Sequence, residues 1–402
     1  MTAPSSPSSP RPVEGGVTAA RGFVAGAVAA GIKPSGKPDL ALVVSEAPAS
    51  IAGVFTTNRV KAAPVLLCQR RMANGRARAV VVNSGNANAC TGEAGLGVAE
   101  RMAAAAARRL NVAPEEALVL STGVIGVPLP VERVEAALPG LALSREGGDA
   151  AARAIMTTDT RPKTAAVELE VSGRIVRVGG MAKGSGMIHP QMATMLAVIT
   201  TDAAVQSYDL QRHLSDAAAV SFNRIDVDGD MSTNDTVLLF ANGASGASVP
   251  DAIFTEALTA VCVSLARQIA ADGEGATKLL EITVTGAVSE GDAERAARAI
   301  TRSSLVKAAM YGNDPNWGRI LAAAGASGAQ VDPEKARLTL QGARLYADGL
   351  PLPFDAAAVS ASLRGATEVF VRLDLGVGDA RATAWGCDLS PDYVHINADY
   401  TT

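Results

Sequence analysis

Residues 183–202 read Lys-Gly-Ser-Gly-Met-Ile-His-Pro-Gln-Met-Ala-Thr-Met-Leu-Ala-Val-Ile-Thr-Thr-Asp and join two physically different halves. The first half, through Gln191, carries Gly184, Gly186 and Pro190 and reads as an irregular loop. The second, from Thr194 to Thr201, is apolar and rich in β-branched residues, the pattern of a buried strand. The chain must therefore build a sheet that receives this strand and hold Ala193-Thr194 at its entrance. There the Thr194 hydroxyl can attack the Ala193 carbonyl, an N-to-O acyl shift. Hydrolysis of the resulting ester would leave Thr194 with a free α-amino group beside its hydroxyl, a nucleophile and base in one residue. Without further signal, an Ala-Thr pair at a strand start is only that.

The rest of the chain narrows the setting. Its 402 residues allow two domains and a substantial core. Apolar residues make up 48% but aromatic ones only 3%, so small aliphatic side chains fill the interior. A formal charge of -4 argues against a nucleic-acid binder or a polybasic membrane anchor. Cys68, Cys90, Cys262 and Cys387 are scattered and form no C-x-x-C, so neither a zinc knuckle nor a disulfide framework is implied. They read as reduced thiols of a cytoplasmic protein. No signal peptide and no uninterrupted apolar run of bilayer length is seen. No metal or cofactor is expected.

Residues 2–12 are mostly Ser and Pro, and 1–14 read as a disordered leader. Short strands follow at 40–44, 50–56 and 79–82. The last runs into Asn83-Ser84-Gly85-Asn86-Ala87-Asn88, read as an Asn-capped turn into a helix over 93–110, or else as a loop lining a polar pocket. A strand at 117–120 ends in Ser121-Thr122-Gly123. A hydroxyl followed by glycine at a strand end can present an O–H and a backbone N–H in one direction, as an oxyanion hole requires, although Thr-Gly is also an ordinary turn. Residues 154–163 carry Thr157, Thr158 and Thr160 and a charged tail after a helix, and 167–178 alternate as a hairpin about Ser172-Gly173. Asp226-Val227-Asp228-Gly229-Asp230 fails EF-hand spacing, because Met231 and Val237 stand where Gly and Glu are needed, and reads as a turn. A helix over 254–271 ends in Asp272-Gly273-Glu274-Gly275, either a glycine cap or a glutamate aimed into a site between two glycines. Ser304-Leu305-Val306-Lys307 matches S-x-x-K without its companions and reads as chance. The segmentation expected is a catalytic αβ domain over 15–278 and a second, smaller αβ domain over 279–402.

The run 183–196, with Ser121-Thr122-Gly123, Asp272-Gly273-Glu274-Gly275 and Asp314-Pro315-Asn316-Trp317-Gly318-Arg319 in that order, resembles the ornithine acetyltransferase (glutamate N-acetyltransferase) family. The resemblance covers essentially the whole chain from about residue 15. It implies an α/β (α+β) sandwich of helices and sheets like that of N-terminal nucleophile hydrolases. It implies cleavage between Ala193 and Thr194, with Thr194 as acetyl carrier and Thr122 and Gly123 as the oxyanion hole. It implies a substrate-binding threonine at Thr157, or failing that Thr158, a binding glutamate at Glu274, and a C-terminal tail returning with Asn397 and Thr402. By charge, Lys183 suits a substrate carboxylate and Glu274 the ornithine amine. The implied substrates are N-acetylornithine and glutamate. Acetyl-CoA is a co-substrate of some members with the same motifs. The cleaved α and β chains are expected to pair into a heterotetramer or larger. A self-processing amidase or aminopeptidase with the same nucleophile, a specialised antibiotic-pathway paralogue and a non-catalytic binder are the competing readings.

Overall fold

A computed structural model describes residues 9–189 and 195–399. Ala193, Thr194 and Thr402 lie outside the described residues. The chain forms two sheets. Among the described residues the larger has nine strands: β1 (Arg11–Pro12), β2 (Phe23–Val28), β3 (Leu40–Phe55), β4 (Arg76–Asn86), β5 (Ala117–Val124), β6 (Lys163–Val171), β7 (Arg174–Lys183), β8 (Leu196–Thr201) and, after a short β9 (Ile225–Asp226) that belongs to the other sheet, β10 (Thr236–Ala241). Their order is β1-β6-β7-β8-β10-β3-β4-β5, with β2 on the first part of β3. The β8–β10 and β4–β5 pairs are parallel and the others antiparallel.

Residues 40–44 and 50–56, expected as separate strands, belong to one long β3. Its pairing with β4 shifts register between Val44 and Ala49, a bulge that absorbs Pro48. The bend lets the sheet fold over itself. Ala41, Val43, Val80, Val82, Leu118 and Leu120 from one half meet Met181, Leu196, Val198, Leu238 and Phe240 from the other in an inner core. The alternate residues face outward. Leu40, Leu42, Ala79 and Val81 pack under helices α1 (Ala63–Arg71), α2 (Gly92–Leu110) and α3 (Val131–Ala137). Ala197 and Ile199 pack, beyond the short α4 (Gly148–Ala154) of the inner core, under α5 (Ser207–Ala219) and α6 (Asp251–Ala271). The period-two alternation of each strand therefore builds helix, sheet, sheet, helix in four layers. Helix α6 is long and apolar enough, by length and average composition, to cross a membrane. Here Phe254, Leu258, Val261, Leu265 and Ile269 are spent on the core.

The leader expectation is corrected in part. Residues 9–14 are not disordered: Arg11–Pro12 adds to the edge strand β6, Val13 N–H donates to Ala166 O at 3.0 Å, and Arg11 pairs with Glu168 at 2.6 Å. An edge strand offers unpaired backbone groups, and even a Pro-bearing segment can use them.

The smaller sheet runs β14-β13-β12-β15-β11-β16-β9. Its strands are β11 (Leu279–Ala287), β12 (Arg337–Leu340), β13 (Ala343–Ala347), β14 (Leu350–Pro351), β15 (Glu368–Asp374) and β16 (Ala380–Cys387), with β9 borrowed from earlier in the chain through the Trp385–Ile225 register. Helices α7 (Glu290–Arg302), α8 (Ser304–Tyr311), α9 (Trp317–Gly325) and α10 (Ala356–Gly365) serve this sheet. Finally α11 (Pro391–Asp399) returns to the loop after α6, where Asn397 meets Glu274. Lys307 of the S-x-x-K match is buried and donates to Cys387 O at 2.6 Å, a structural use.

Candidate active site

At one end of the sandwich β4, β5 and β7 finish while β8 and β10 begin. A cleft of about 640 Å³, counted out to its mouth, opens there. Thr122, Gly123, Thr157, Thr158, Lys183, Glu274 and Asn397 all line it. The structure thus gathers six of the expected site residues, and the fallback Thr158, from segments far apart in sequence. Ala193, Thr194 and Thr402 lie outside the described residues and so outside this set.

Each wall has a local cause. Thr122 and Gly123 close β5, where Gly123 takes φ 130°. A Cβ there would stand 2.3 Å from the Gly85 carbonyl carbon, so only glycine lets the end of β5 lie this close to β4. Among the described residues the Thr122 hydroxyl has no hydrogen-bond partner, which leaves it free for the cleft. The Asn-rich run does not cap a helix as expected: residues 83–86 continue β4, and the N-cap of α2 is Thr91, with no side-chain cap bond. Asn88 donates to Gly95 O at 2.8 Å inside the entry to α2, and Ala87 lines the cleft. Asn234 ties that run down, donating to Ala87 O at 2.7 Å and Ser121 O at 2.8 Å.

Beneath the cleft lies a buried ionic network. Lys163 Nζ sits 2.6 Å from Asp159 Oδ1 and 2.5 Å from Asp272 Oδ2. Asp159 also accepts from Gly184 N–H at 2.8 Å and Thr157 N–H at 2.9 Å. Burial would push the Asp159 carboxyl up, but the Lys183 and Lys163 ammoniums and the Gly184 amide outweigh it and hold it at about 2. Lys183, at the end of β7, is buried and stands 4.0 Å from Asp159 Oδ2. Burial pushes its ammonium below its ordinary value while Asp159 acts the other way. Among the described residues Lys183 Nζ makes no hydrogen bond, so its donors are open to an anionic group in the cleft.

Glu274 follows α6. Its N–H donates to Ser185 O at 2.9 Å, and its Oε2 accepts from Asn397 Nδ2 of α11 at 2.8 Å. A Cβ on Gly275 would lie 2.5 Å from Tyr393 N, so the glycine is what admits α11 to the site. The acidic run read as a turn does more than turn. Asp228 accepts from Met187 N–H at 2.6 Å and Ile188 N–H at 2.9 Å, fixing the loop that leaves Lys183, and burial pushes its carboxyl up to about 6.

Sequence reasoning missed Asp159, Lys163, Asp272, Asn234 and Asp235. Asp159 and Lys163 stood within a run noted for its charged tail, but nothing in sequence joined Lys163 to Asp272. Asp235 accepts from Met195 N–H at 3.0 Å, one residue beyond Thr194. Lys183 is the register partner of Leu196, so β8 starts beside the open ammonium.

A free hydroxyl with an adjacent glycine, a buried ammonium with open donors and a carboxylate, all around one cleft, define an enzyme site for a small molecule bearing both charges. Residues 24–402 match the ArgJ family, and the chain belongs to that family. It is an enzyme of arginine biosynthesis in the acyltransferase class. It is 54% identical over 398 residues to the arginine biosynthesis bifunctional protein ArgJ of Symbiobacterium thermophilum, covering 96% of this chain and 99% of that one. To the protein so named from Thermus thermophilus it is 55% identical over 383 residues, covering 95% and 98%. Among solved structures it is similar to an ornithine acetyltransferase complexed with ornithine from Mycobacterium tuberculosis, at 45% identity over 45% of this chain and 98% of that one, with a TM-score of 0.42.

Proposed function

We propose that the chain cleaves itself between Ala193 and Thr194 and then moves an acetyl group from N-acetylornithine to glutamate through an acetyl-Thr194 ester. The observation that carries this reading is the cleft itself. An uncommitted Thr122 hydroxyl, an open Lys183 ammonium and Glu274 surround the place where β8 begins, one residue after Met195.

In the first half-reaction Thr194 Oγ attacks the acetyl carbon and its proton passes to the α-amine. The oxyanion is met by Thr122 and Gly123. The C–N bond breaks, and ornithine leaves with the proton from the α-ammonium. In the second half the glutamate amine attacks the ester, Thr194 Oγ recovers its proton and acetylglutamate departs. Ornithine and glutamate share an α-carboxylate beside the reacting nitrogen, which Lys183 can hold in both halves. Glu274, steadied by Asn397, suits the side-chain ammonium of ornithine, and Thr157 and Thr158 supply hydroxyls along the same wall. Thr402 completes the contact set from the tail. The bifunctional naming of the relatives supports a second donor, acetyl-CoA, charging the same residue. The two fragments pair as a heterotetramer or a larger assembly of the same two chains.

Mass spectrometry of purified protein should give two chains, the second beginning Thr-Met-Leu-Ala. Thr194→Ala should give one chain with neither cleavage nor acetyl transfer. An intact chain with full activity would overturn the reading. Acetate release without acetylglutamate would make the protein an amidase instead. Incubation with acetyl-CoA and glutamate alone tests the second donor, and light scattering tests the assembly.

A further inference from the structure

A second concavity adjoins the cleft. Met187 lines the cleft, and His189, two residues on, lines this groove of about 970 Å³, counted out to its mouth. Arg295, Arg298 and Arg302 of α7, with Ser303 and Ser327, make its polar wall. The rest of the lining is alanine, and among the described residues no carboxylate lines it. The three arginines fall at i, i+3 and i+7, on one face of α7. Ala293, Ala296, Ala297 and Ile300 turn the other face into the core of the smaller sheet. A basic helix face in open water is ordinary. Here it borders a hollow that short alanine side chains leave open.

The charge of this wall is not cancelled. Arg295 pairs with Asp292, whose carboxylate also accepts from Gln330 N–H at 3.0 Å. Arg298 stands 3.1 Å from Glu294 through Nη1 alone. Among the described residues Arg302 makes no ion pair or hydrogen bond. Its guanidinium lies against Gly229, where a Cβ would stand 3.3 Å from Nε. The His189 ring is fixed by its Nδ1, 2.7 Å from the buried Asp226 Oδ2. Ser303 is also the N-cap of α8, which puts the positive end of that helix at the groove's edge. Guanidiniums with donors to spare, hydroxyls and a helix N-terminus around one hollow suit a multiply charged oxyanion, and phosphate fits that description best.

We propose that this groove is the subsite for the phosphates of acetyl-CoA. The proposal rests on the second-donor reading. N-acetylornithine and glutamate carry no phosphate, and Lys183 and Glu274 answer their charges within the cleft. Acetyl-CoA brings a diphosphate and a further phosphate on its ribose. The cleft, with one open ammonium and a carboxylate, does not match them. The groove beyond the 187–189 segment does. The phosphates rest on Arg298 and Arg302 while the pantetheine arm carries the thioester past Met187 into the cleft.

The test compares three acetyl donors with glutamate as acceptor in the purified enzyme. They are acetyl-CoA, N-acetylornithine and S-acetyl-N-acetylcysteamine, a thioester without phosphates. Replacing both Arg298→Gln and Arg302→Gln should raise KM for acetyl-CoA roughly tenfold or more, the worth of a lost charge-assisted contact. KM for the other two donors should stay within about twofold and the melting temperature should hold, because both changes lie on a surface face. Arg302→Lys keeps the charge and should lose less than Arg302→Gln. Titration calorimetry with CoA should show the same loss of binding without turnover. Inorganic pyrophosphate should compete with acetyl-CoA and not with N-acetylornithine. An unchanged KM for acetyl-CoA in the double variant, or an equal rise for the phosphate-free thioester, would overturn the proposal. So would pyrophosphate that binds the groove without competing with acetyl-CoA, since the groove would then serve a free phosphate ligand. A wild type that uses N-acetylornithine but takes acetyl from neither thioester would instead remove the second-donor reading, and the proposal with it.

Discussion

The cleft end of the larger sheet and the core of the smaller sheet are built from the same small aliphatic vocabulary, yet they use burial in opposite ways. In the smaller sheet burial is mainly apolar, with Lys307 and Asp292 on its helices as exceptions. Leu280, Ile282 and Val284 of β11 meet Val369, Val371 and Leu373 of β15 and the alanine face of α7. At the cleft, burial is spent on Asp159, Lys163, Lys183, Asp235 and Asp272. An apolar core needs only volume and pattern, and it tolerates small changes. A buried ionic network needs every partner, because one missing charge strands the others. The difference separates a region that holds shape from one that holds charge in readiness for substrate.

The comparison is broken most forcefully at Lys163. Lys163→Met keeps the stem and removes the cation shared by Asp159 and Asp272. Stability should fall by about 3–5 kcal/mol, the range for a buried pair that loses one member. Denaturant unfolding checks this. Acetyl transfer should fall as well, since Asp159 also organises Gly184 and Thr157. A loss under about 1 kcal/mol would mean that the network is not the load the geometry makes it.

Thr122→Ala comes next. It removes a hydroxyl with no partner among the described residues, so the melting temperature should barely move. Turnover should drop roughly a hundredfold, about 2.7 kcal/mol of barrier, with KM changing much less. A raised KM at unchanged turnover would move Thr122 to ground-state binding.

How far the sequence foretold these regions follows from the same contrast. The alternation of Val369, Val371 and Leu373 announces a half-buried strand directly, and the Ser172-Gly173 turn announces its hairpin. Thr122-Gly123 and Glu274 could be singled out because glycine beside a reactive group at an element's end is a local signal. The network could not be. Lys163 meets Asp272 across 109 positions, and no local pattern predicts that pairing. Asp235 looked like the continuation of a polar turn, and its meaning lies in the burial that β3, β8 and β10 impose on it. Pro48 suggested a break where β3 only bulges, and the Ser/Pro-rich start hid a strand that exists because β6 offers an edge.

Acid titration sharpens the contrast at smaller amplitude. Asp159 is held at about 2, below its ordinary value of 3.8. A depressed carboxyl contributes stability above the unfolded value and loses it as pH falls through the folded one. Stability should therefore decline between about pH 4 and 2 by roughly 2 kcal/mol on account of this group. Chemical unfolding across that window should show the decline, and Asp159→Asn should be less stable at neutral pH but flatter through it. An equally steep acid limb in Asp159→Asn would assign the titration to other carboxylates.

The smallest change tests the other side of the comparison. Ile282 is fully buried on β11, with Val371 as its register partner on β15 and Ala384 on β16. Ile282→Val removes one methylene and should cost about 0.5–1.5 kcal/mol. The Glu274 loop meets this sheet at Asp388, which accepts from Thr277 N–H at 2.8 Å and Lys278 N–H at 2.9 Å, and again through the Lys278 side chain. Lys278 Nζ, just after the Glu274 loop, donates to Met310 O at 2.8 Å and Asn313 Oδ1 at 2.5 Å. None of these atoms contacts Ile282 through a polar bond, so a methylene-sized void should relax inside the apolar core. Turnover per folded molecule should stay unchanged while the unfolding midpoint falls. If turnover instead fell in step with the midpoint, the Lys278–Asn313 contact would be transmitting packing from the smaller sheet to the Glu274 loop. Shape and charge would then not be divided between the two regions. Repeating the measurement with Asn313→Ala, which removes the Lys278 acceptor, would show whether that link carries the coupling.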